Sequence, residues 1–204
     1  LDRYGDAAAA YGAVPADSGL SWSVRLRAAQ ALADSGDVDG AVAVLQAMAR
    51  ERPERPDALI TQADLLHREE RYAEAAAVYD QAVARLPTLE PRHWSLLYAR
   101  GIALERSDQW DRAEQDFLRA LELEPDQPLV LNYLGYSWVE MGRNYDRARA
   151  MIESAGEQRP NDGYIVDSLG WVLYQLGDFE QAVHHLERAA ELRPNDPVIL
   201  GHCG

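Results

Sequence analysis

A unit of 34 residues recurs along this chain, and its clearest copy is residues 163–196. In its first half, apolar or small residues follow the period of one helix face, at Val166, Leu169, Gly170 and Leu173. The second half repeats that period at Phe179, Ala182, Val183, Leu186, Ala189 and Ala190. Between the halves, Gly177 is predicted to end the first helix and Asp178 to cap the second. The unit therefore predicts a helical hairpin whose backbones approach closely at Gly170, Ala182 and Ala189.

Five whole copies of the unit follow one another along the sequence. They occupy residues 22–55, 56–89, 94–127, 128–162 and 163–196. Residues 90–93 fall outside the period, which predicts a longer or differently shaped turn at this point. The fourth copy has one extra residue, which lies between Gly142 and Ala148 in the predicted hairpin turn, where an insertion costs little.

Partial copies flank the five whole ones. Residues 1–15 match the second helix of a unit, and residues 197–204 match the first helix. A solenoid needs polar capping elements at its ends, so the sequence predicts a fragment of a longer repeat protein. The apolar face of the Ala-rich helix at residues 2–15 and the side chains of Leu200 and Cys203 should then be exposed. We expect these ends to fray or to cause self-association of the chain.

The pattern resembles the tetratricopeptide repeat (TPR), whose period is 34 residues. In residues 163–196 the matching positions are Leu169-Gly170, Leu173, Gly177, Phe179, Ala182, Leu186, Ala189 and Pro194. The resemblance implies an all-α fold, in which residues 1–204 form one solenoid with the shape of a right-handed αα-superhelix. The aromatic residues that start the second helices, together with one on a first helix, are predicted to be packing residues: Tyr72, Trp110, Tyr145, Phe179 and Trp138.

The charge of the chain disfavours some classes of partner. Its formal net charge is −14 at pH 7, which opposes binding to nucleic acid or to an anionic membrane surface but allows basic partners. All 20 basic residues are Arg, so lysine-dependent chemistry such as Schiff-base formation is absent. No apolar run of about 18 residues is present, so we expect no direct membrane insertion by this fragment.

No sequence motif indicates catalysis or cofactor binding. The motifs G-x-S-x-G and H-E-x-x-H and the P-loop are missing. His184 and His185 are neighbours on a predicted helix, so their side chains diverge by about 100° and are interpreted as surface residues. His202 and Cys203 would need further ligands from outside the sequence to hold a metal. We therefore expect no enzyme activity, no cofactor and no metal site in this chain.

The resemblance also implies where a partner binds. In TPR proteins the first helices line a concave groove through the second, fifth, ninth, twelfth and thirteenth positions of each repeat. Here Tyr and Trp occupy several of these positions beside polar residues, which is typical of a peptide-binding surface. The predicted groove residues are Tyr98, Asn132, Tyr136, Tyr164, Asp167, Trp171, Tyr174 and Gln175. Alternatively, the rings pack on adjacent first helices and merely line the groove.

Residues 98–196, which include LNYLGYSWVEMG and NDGYIVDSLGWVLYQLGD, resemble long TPR proteins of Proteobacteria. Some of these are outer-membrane lipoproteins that face the periplasm, and some are adaptors for envelope proteases. The resemblance implies a protein–protein interaction scaffold or adaptor that binds a peptide segment in the groove, within a cell-envelope complex. The alternative is a regulatory TPR array of a larger enzyme, such as a transferase, with its catalytic domain outside this chain. The alternative compartment is the cytoplasm.

Overall fold

The computed structural model describes residues 21–203. Within this range it contains eleven α-helices, one 3-10 helix and no strand. The α-helices are α1 (Ser21–Asp34), α2 (Val38–Glu51), α3 (Asp57–Arg68), α4 (Tyr72–Ala84), α5 (Trp94–Glu105), α6 (Trp110–Leu123), α7 (Pro128–Glu140), α8 (Tyr145–Gln158), α9 (Gly163–Gln175), α10 (Phe179–Leu192) and α11 (Pro197–Cys203). The odd-numbered helices are the first helices of the predicted repeats, and the even-numbered helices are the second. The all-helical prediction is confirmed.

The chain divides into two compact units, unit 1 (Leu1–Asp116) and unit 2 (Phe117–Gly204). In unit 1, α1 pairs with α2 and α3 with α4, and each first helix also packs on the first helix of the next repeat. In unit 2, α7 pairs with α8 and α9 with α10, while α9 also packs on α7 and α11. Each described unit is thus a stack of helical hairpins in which neighbouring first helices are in contact.

Each hairpin turn contains at least one residue with positive φ. Glycine takes this conformation at Gly36 (φ +98°) and Gly177 (φ +80°), because it has no Cβ to clash. After Gly177, the carboxylate of Asp178 accepts a hydrogen bond from the backbone N–H of Gln181 at 3.4 Å. That bond satisfies one of the free N–H groups at the start of α10. The predicted helix end at Gly177 and the predicted cap at Asp178 are both confirmed.

Two irregular points of the repeat pattern have local structural explanations. The extra residue of the fourth repeat lies in the α7–α8 turn, as predicted, where both Gly142 and Asn144 have positive φ. Residues 90–93, outside the period, contain the 3-10 helix Pro91–His93. There the Nδ1 atom of His93 accepts a hydrogen bond from the backbone N–H of Glu90 at 2.9 Å, which closes the turn before α5 begins.

Small residues hold the paired helices of unit 2 close together. A Cβ atom on Gly170 would lie 2.7 Å from Cγ of Leu186 and 3.1 Å from its backbone nitrogen. A Cβ on Gly135 would lie 2.8 Å from Cγ1 of Ile152. Both distances are too short for real carbon contacts, so α9–α10 and α7–α8 pack at a separation that only glycine allows. The predicted role of Gly170 is confirmed.

The prediction that aromatic residues pack inside the repeats is correct for Trp138 and wrong for Phe179. Trp138 is 1% exposed, whereas Phe179 is 60% exposed. In unit 1, the equivalent Tyr72 is covered by Arg106, which directly follows the next first helix, α5. The guanidinium carbon of Arg106 lies 5.2 Å from the ring centroid. Phe179 instead contacts the ring of Tyr174 edge-on, at 5.5 Å between centroids.

The predictions about the chain ends are covered only in part. Residues 1–15 and the side chain of Cys203 lie outside the described residues. In α11, Ile199 is fully buried and packs in a cluster with Val166 and Ala189, whereas Leu200 is 48% exposed as predicted. None of the helices in the described range is long and apolar enough to cross a membrane.

Candidate functional site

Seven of the eight predicted groove residues lie in unit 2, on the first helices α7 and α9. Three of them, Tyr136, Asp167 and Trp171, lie around His202 on α11. Glu140 at the end of α7 completes the group through a hydrogen bond to Trp171. We call Tyr136, Glu140, Asp167, Trp171 and His202 the acidic aromatic cluster. It forms because α9 packs on both α7 and α11, so that side chains from three successive first helices meet.

Trp171 is at the centre of the cluster. Its indole N–H donates a hydrogen bond to Oε1 of Glu140, with a nitrogen–oxygen distance of 2.6 Å. Its ring stacks on the imidazole of His202, at 4.4 Å between centroids and an interplanar angle of 16°. One helical turn further on, Tyr174 is also stacked on the indole, at 5.4 Å and 17°. The orientation of the indole is therefore set by contacts from α7, α9 and α11.

Asp167 is the most deeply buried member of the cluster, with 4% exposure. Its Oδ2 atom lies 2.9 Å from Nδ1 of His202. Its other oxygen, Oδ1, is buried and has no hydrogen-bond partner within the described range. Burial raises the pKa of Asp167, and the neighbouring His202 opposes that rise. The carboxylate is therefore costly to bury and only half satisfied.

The neighbouring positions on α7 are partly buried. Tyr136 lies 6.5 Å from His202 between ring centroids, and burial raises the pKa of its hydroxyl to about 12. Oδ1 of Asn132, like Oδ1 of Asp167, is buried and finds no hydrogen-bond partner among the residues described. Asn132 and Asp167 occupy the same fifth position in successive repeats. Two buried acceptor atoms, one on α7 and one on α9, thus have no hydrogen-bond donor among the described residues.

A cavity of about 480 Å³ adjoins the cluster. Its walls include the rings of Trp171, Tyr174, Phe179 and His202, together with apolar residues of α10. Tyr174 is about half exposed, and Gln175 next to it is also exposed. Tyr174 therefore extends the cluster toward the cavity through its stacking on Trp171, and Gln175 lies next to it in the chain.

The other two predicted groove residues lie away from the cluster. Tyr164 starts α9 and is covered on one face by Arg193, whose guanidinium carbon lies 4.0 Å from the ring centroid. A hydrogen bond with Asp196 raises the pKa of the Tyr164 hydroxyl. Tyr98 belongs to unit 1, where its ring lies 6.3 Å from that of Trp94 and burial raises its pKa to about 12.

Two members of the cluster were not among the predicted groove residues. His202 was considered only as a metal ligand, and Glu140 occupies a groove position but is not aromatic. The spacing gave no signal for His202, because it lies 35 residues after Asp167, one more than the period, and so occupies the sixth position of its repeat. No group of three His, Cys, Asp or Glu residues among the described side chains is arranged to hold a metal ion. The cluster offers ring faces and hydrogen-bond acceptors.

Unit 1 contains a second cluster of charged residues, built around one buried pair. Arg100 on α5 donates from Nε and Nη2 to the two oxygens of Asp116, each at 2.6 Å. Its third nitrogen, Nη1, donates to Asp80 at 3.2 Å. Asp80 also accepts from Arg112, at 2.7 Å. Every oxygen of Asp116 is therefore paired, which is the pattern of a structural ion pair between helices rather than of a site for a ligand.

Comparisons with known proteins agree with this architecture. Sequence profiles described as Tetratricopeptide repeat match residues 1–56, 26–90, 60–128, 98–163 and 166–196. The chain is 29% identical over 184 residues to TPR repeat-containing protein PA4667 of Pseudomonas aeruginosa, and the match covers 88% of this chain and 30% of that protein. The chain therefore spans about a third of the length of this curated relative.

Solved structures show the same fold at low sequence identity. YrrB, described as a TPR protein with an unusual peptide-binding site, matches with a TM-score of 0.68 at 19% identity, covering 87% of this chain and 89% of YrrB. MamA from Desulfovibrio magneticus RS-1 matches with a TM-score of 0.71 at 18% identity, covering 95% of this chain and 99% of that one. Because the repeat profiles cover most of the sequence and the fold agrees, this chain belongs to the tetratricopeptide repeat family.

Proposed function

We propose that this chain is a non-catalytic adaptor that binds a peptide segment of a partner protein. The family supports the general role, since TPR repeats are interaction modules. The binding surface would be the concave groove formed by the first helices of unit 2, α7 and α9. The observation that carries this proposal is the acidic aromatic cluster, in which oriented rings lie beside a buried carboxylate oxygen that finds no donor among the described residues. Rings with nearby polar groups are the usual anchors of peptide recognition.

We further propose that the adaptor works in a bacterial cell-envelope complex with a protease, on the periplasmic side of the outer membrane. Support for this role comes from the resemblance of residues 98–196 to long proteobacterial TPR proteins. The match to a bacterial relative about three times as long is compatible with it. The net charge of −14 favours a protein partner over nucleic acid. The exposed apolar residues Val198 and Leu200 support self-association, which light scattering over a concentration series would test.

The test of the adaptor proposal is capture of the partner by the full-length protein from its own host. We expect the double variant Tyr136→Ala, Trp171→Ala to lose partner capture while its helical circular dichroism spectrum is unchanged. The control is Gln181→Ala, His184→Ala, which changes two exposed residues of α10 and should capture the partner normally. Capture by a folded Tyr136→Ala, Trp171→Ala variant would show that the groove assignment is wrong.

The second candidate is a regulatory TPR array within a larger enzyme, such as a transferase. It is favoured by the coverage of the Pseudomonas aeruginosa relative, because most of that protein lies outside the matched region. The gene sequence on both sides of this chain distinguishes the two candidates. A catalytic domain there would support the regulatory array, whereas further repeats or a lipid-anchor signal would support the adaptor.

A further inference from the structure

We propose that the acidic aromatic cluster recognises an arginine side chain of the bound segment, and that His202 takes the place of that arginine when no segment is bound. This inference rests on the proposed function, because it specifies what the groove of unit 2 selects. It comes from the two contacts that His202 makes, from what those contacts leave unsatisfied, and from the space next to the imidazole ring.

The imidazole of His202 already makes the two contacts typical of a bound guanidinium group. It is planar and stacks on the indole of Trp171, at 4.4 Å between ring centroids. Its Nδ1 atom is 2.9 Å from Oδ2 of Asp167. Guanidinium groups combine stacking on aromatic faces with hydrogen bonds to carboxylates in the same way. The cluster is therefore shaped for a flat group that carries N–H donors at its edge.

A histidine satisfies only half of this site. The imidazole presents one nitrogen to the carboxylate, and Oδ1 of Asp167 has no hydrogen-bond partner within the described residues. A guanidinium group presents two parallel N–H donors, which match both oxygens of a carboxylate. Arg100 shows this geometry in unit 1, where it reaches both oxygens of Asp116 at 2.6 Å. An incoming arginine would thus satisfy a buried acceptor that His202 leaves unpaired.

The structure also provides room for His202 to move aside. The imidazole forms part of the wall of the cavity of about 480 Å³, which is also lined by Tyr174 and Phe179. Rotation of the His202 side chain into this cavity would uncover Asp167 and the indole of Trp171 without a change in the backbone. The backbone of α11 would stay in place, because Ile199 on the same helix is buried against Val166 and Ala189.

The charges on this surface favour a cation and do not favour an acidic segment. The groove positions of the fourth and fifth repeats contain two carboxylates, Glu140 and Asp167, and no Arg or His. Lysine is a poorer fit than arginine, because its ammonium group is compact and strongly hydrated and cannot stack as a plane on the indole. The surface is therefore expected to discriminate between the two basic side chains as well as against neutral ones.

The test is a titration of the whole chain with N-acetyl-L-arginine amide, followed by the NMR signal of the Trp171 indole N–H. The lysine and citrulline amides are the comparison probes, and the Trp171→Phe variant assigns the signal. We expect saturable binding of the arginine amide, about tenfold weaker binding of the lysine amide, and no binding of the uncharged citrulline amide. Tenfold corresponds to the lower end of what a hydrogen bond to a charged group contributes.

Variants separate the roles of Asp167 and His202. Asp167→Asn should weaken arginine binding about tenfold, whereas His202→Ala should strengthen it severalfold, because the competing ring is gone. The control Glu157→Gln removes one charge from an exposed residue of α8 and should leave the affinity unchanged. If Asp167→Asn does not fold, Trp171→Leu is the second variant, and it should lose the binding by removing the stacking surface.

Four results would overturn the inference: no binding of the arginine amide, equal binding of the arginine and lysine amides, unchanged arginine binding by a folded Asp167→Asn variant, or weaker binding by His202→Ala. The proposed function fails by a different result, namely partner capture by the folded Tyr136→Ala, Trp171→Ala variant. If that variant loses capture but the arginine amide does not bind, the groove assignment stands and the arginine specificity is wrong.

Discussion

In the described part of each unit, one buried aspartate is paired with a basic side chain, but the two pairs differ in how many carboxylate oxygens are bonded. In unit 1, both oxygens of Asp116 are paired with Arg100, whose remaining nitrogen reaches Asp80. In unit 2, only one oxygen of Asp167 is paired, with His202, and the other has no partner among the described residues. The same repeat pattern thus contains two kinds of pair. We call the Arg100–Asp116 pair saturated, because both carboxylate oxygens are hydrogen-bonded, and the His202–Asp167 pair unsaturated, because only one oxygen is bonded within the described residues.

The positions of the two pairs in the repeat explain the difference. Arg100 occupies the seventh position of its repeat, which faces the second helix of the same hairpin, and this position is Leu134 in the fourth repeat. Asp167 occupies the fifth position, where the first helices of unit 2 meet. A charge at the seventh position replaces core packing and must be fully paired by the fold. A charge at the fifth position faces the surface that we propose binds a partner. A bound ligand can therefore donate the hydrogen bond that the fold does not supply.

The largest effect is expected from breaking the saturated pair. Arg100→Met leaves the carboxylate of Asp116 buried without a cation, and Asp116 is only 6% exposed. We expect a loss of about 3–5 kcal/mol in the free energy of unfolding, measured by guanidinium chloride denaturation followed by circular dichroism. Asp80 has Arg112 as a second partner, so the penalty falls mainly on Asp116.

Two further variants check that reason. Arg100→Met combined with Asp116→Leu should recover most of the lost stability, because apolar side chains of similar size often replace a buried ion pair without cost. Arg92→Ala removes an exposed ion pair with Glu90 and should change the free energy of unfolding by at most about 1 kcal/mol. Equal losses for Arg92→Ala and Arg100→Met would contradict the structural role of the buried pair.

An intermediate effect is expected from disturbing the close packing of the α9–α10 hairpin in unit 2. Gly170→Ala places a Cβ 2.7 Å from Cγ of Leu186, so α9 and α10 must separate. We expect a loss of about 1–3 kcal/mol in the free energy of unfolding. Gly156→Ala is the matched control on α8, because a Cβ there meets no atom within 4 Å. It should be neutral or slightly stabilising, and a loss equal to that of Gly170→Ala would argue against the close contact.

The smallest effect is expected from neutralising Asp167 in the unsaturated pair. Burial raises the pKa of Asp167 above its ordinary value of 3.8, so the folded state holds the proton more tightly than the unfolded state. As pH rises from 3.8 through the raised pKa, wild type should lose stability relative to Asp167→Asn. Urea unfolding of both proteins over this range measures the difference, which should level off once the folded carboxyl is ionised. A wild type that gains stability relative to the variant would show that the pair with His202 outweighs burial.

The sequence was informative where the repeat sets the structure. Gly170 and Asp178 have roles that follow from the hairpin alone, because every hairpin of this kind needs a close contact and a capped second helix. Phe179 was predicted from the same pattern to be a packing residue. It contacts Tyr174 edge-on but is 60% exposed, since the pattern does not specify which side chains cover this position. The pairing of Asp167 with His202 was also missed. It joins different repeats and uses residues that the pattern does not specify.

The most direct test of the proposed binding surface is site-specific photo-crosslinking of the full-length protein in its own host. Benzoyl-phenylalanine placed at Gln175 lies on the first-helix surface of unit 2, and at Gln181 it lies on α10; both residues are exposed. The proposed function predicts that the partner is crosslinked from Gln175 and not from Gln181. Crosslinks from Gln181 with none from Gln175 would contradict it.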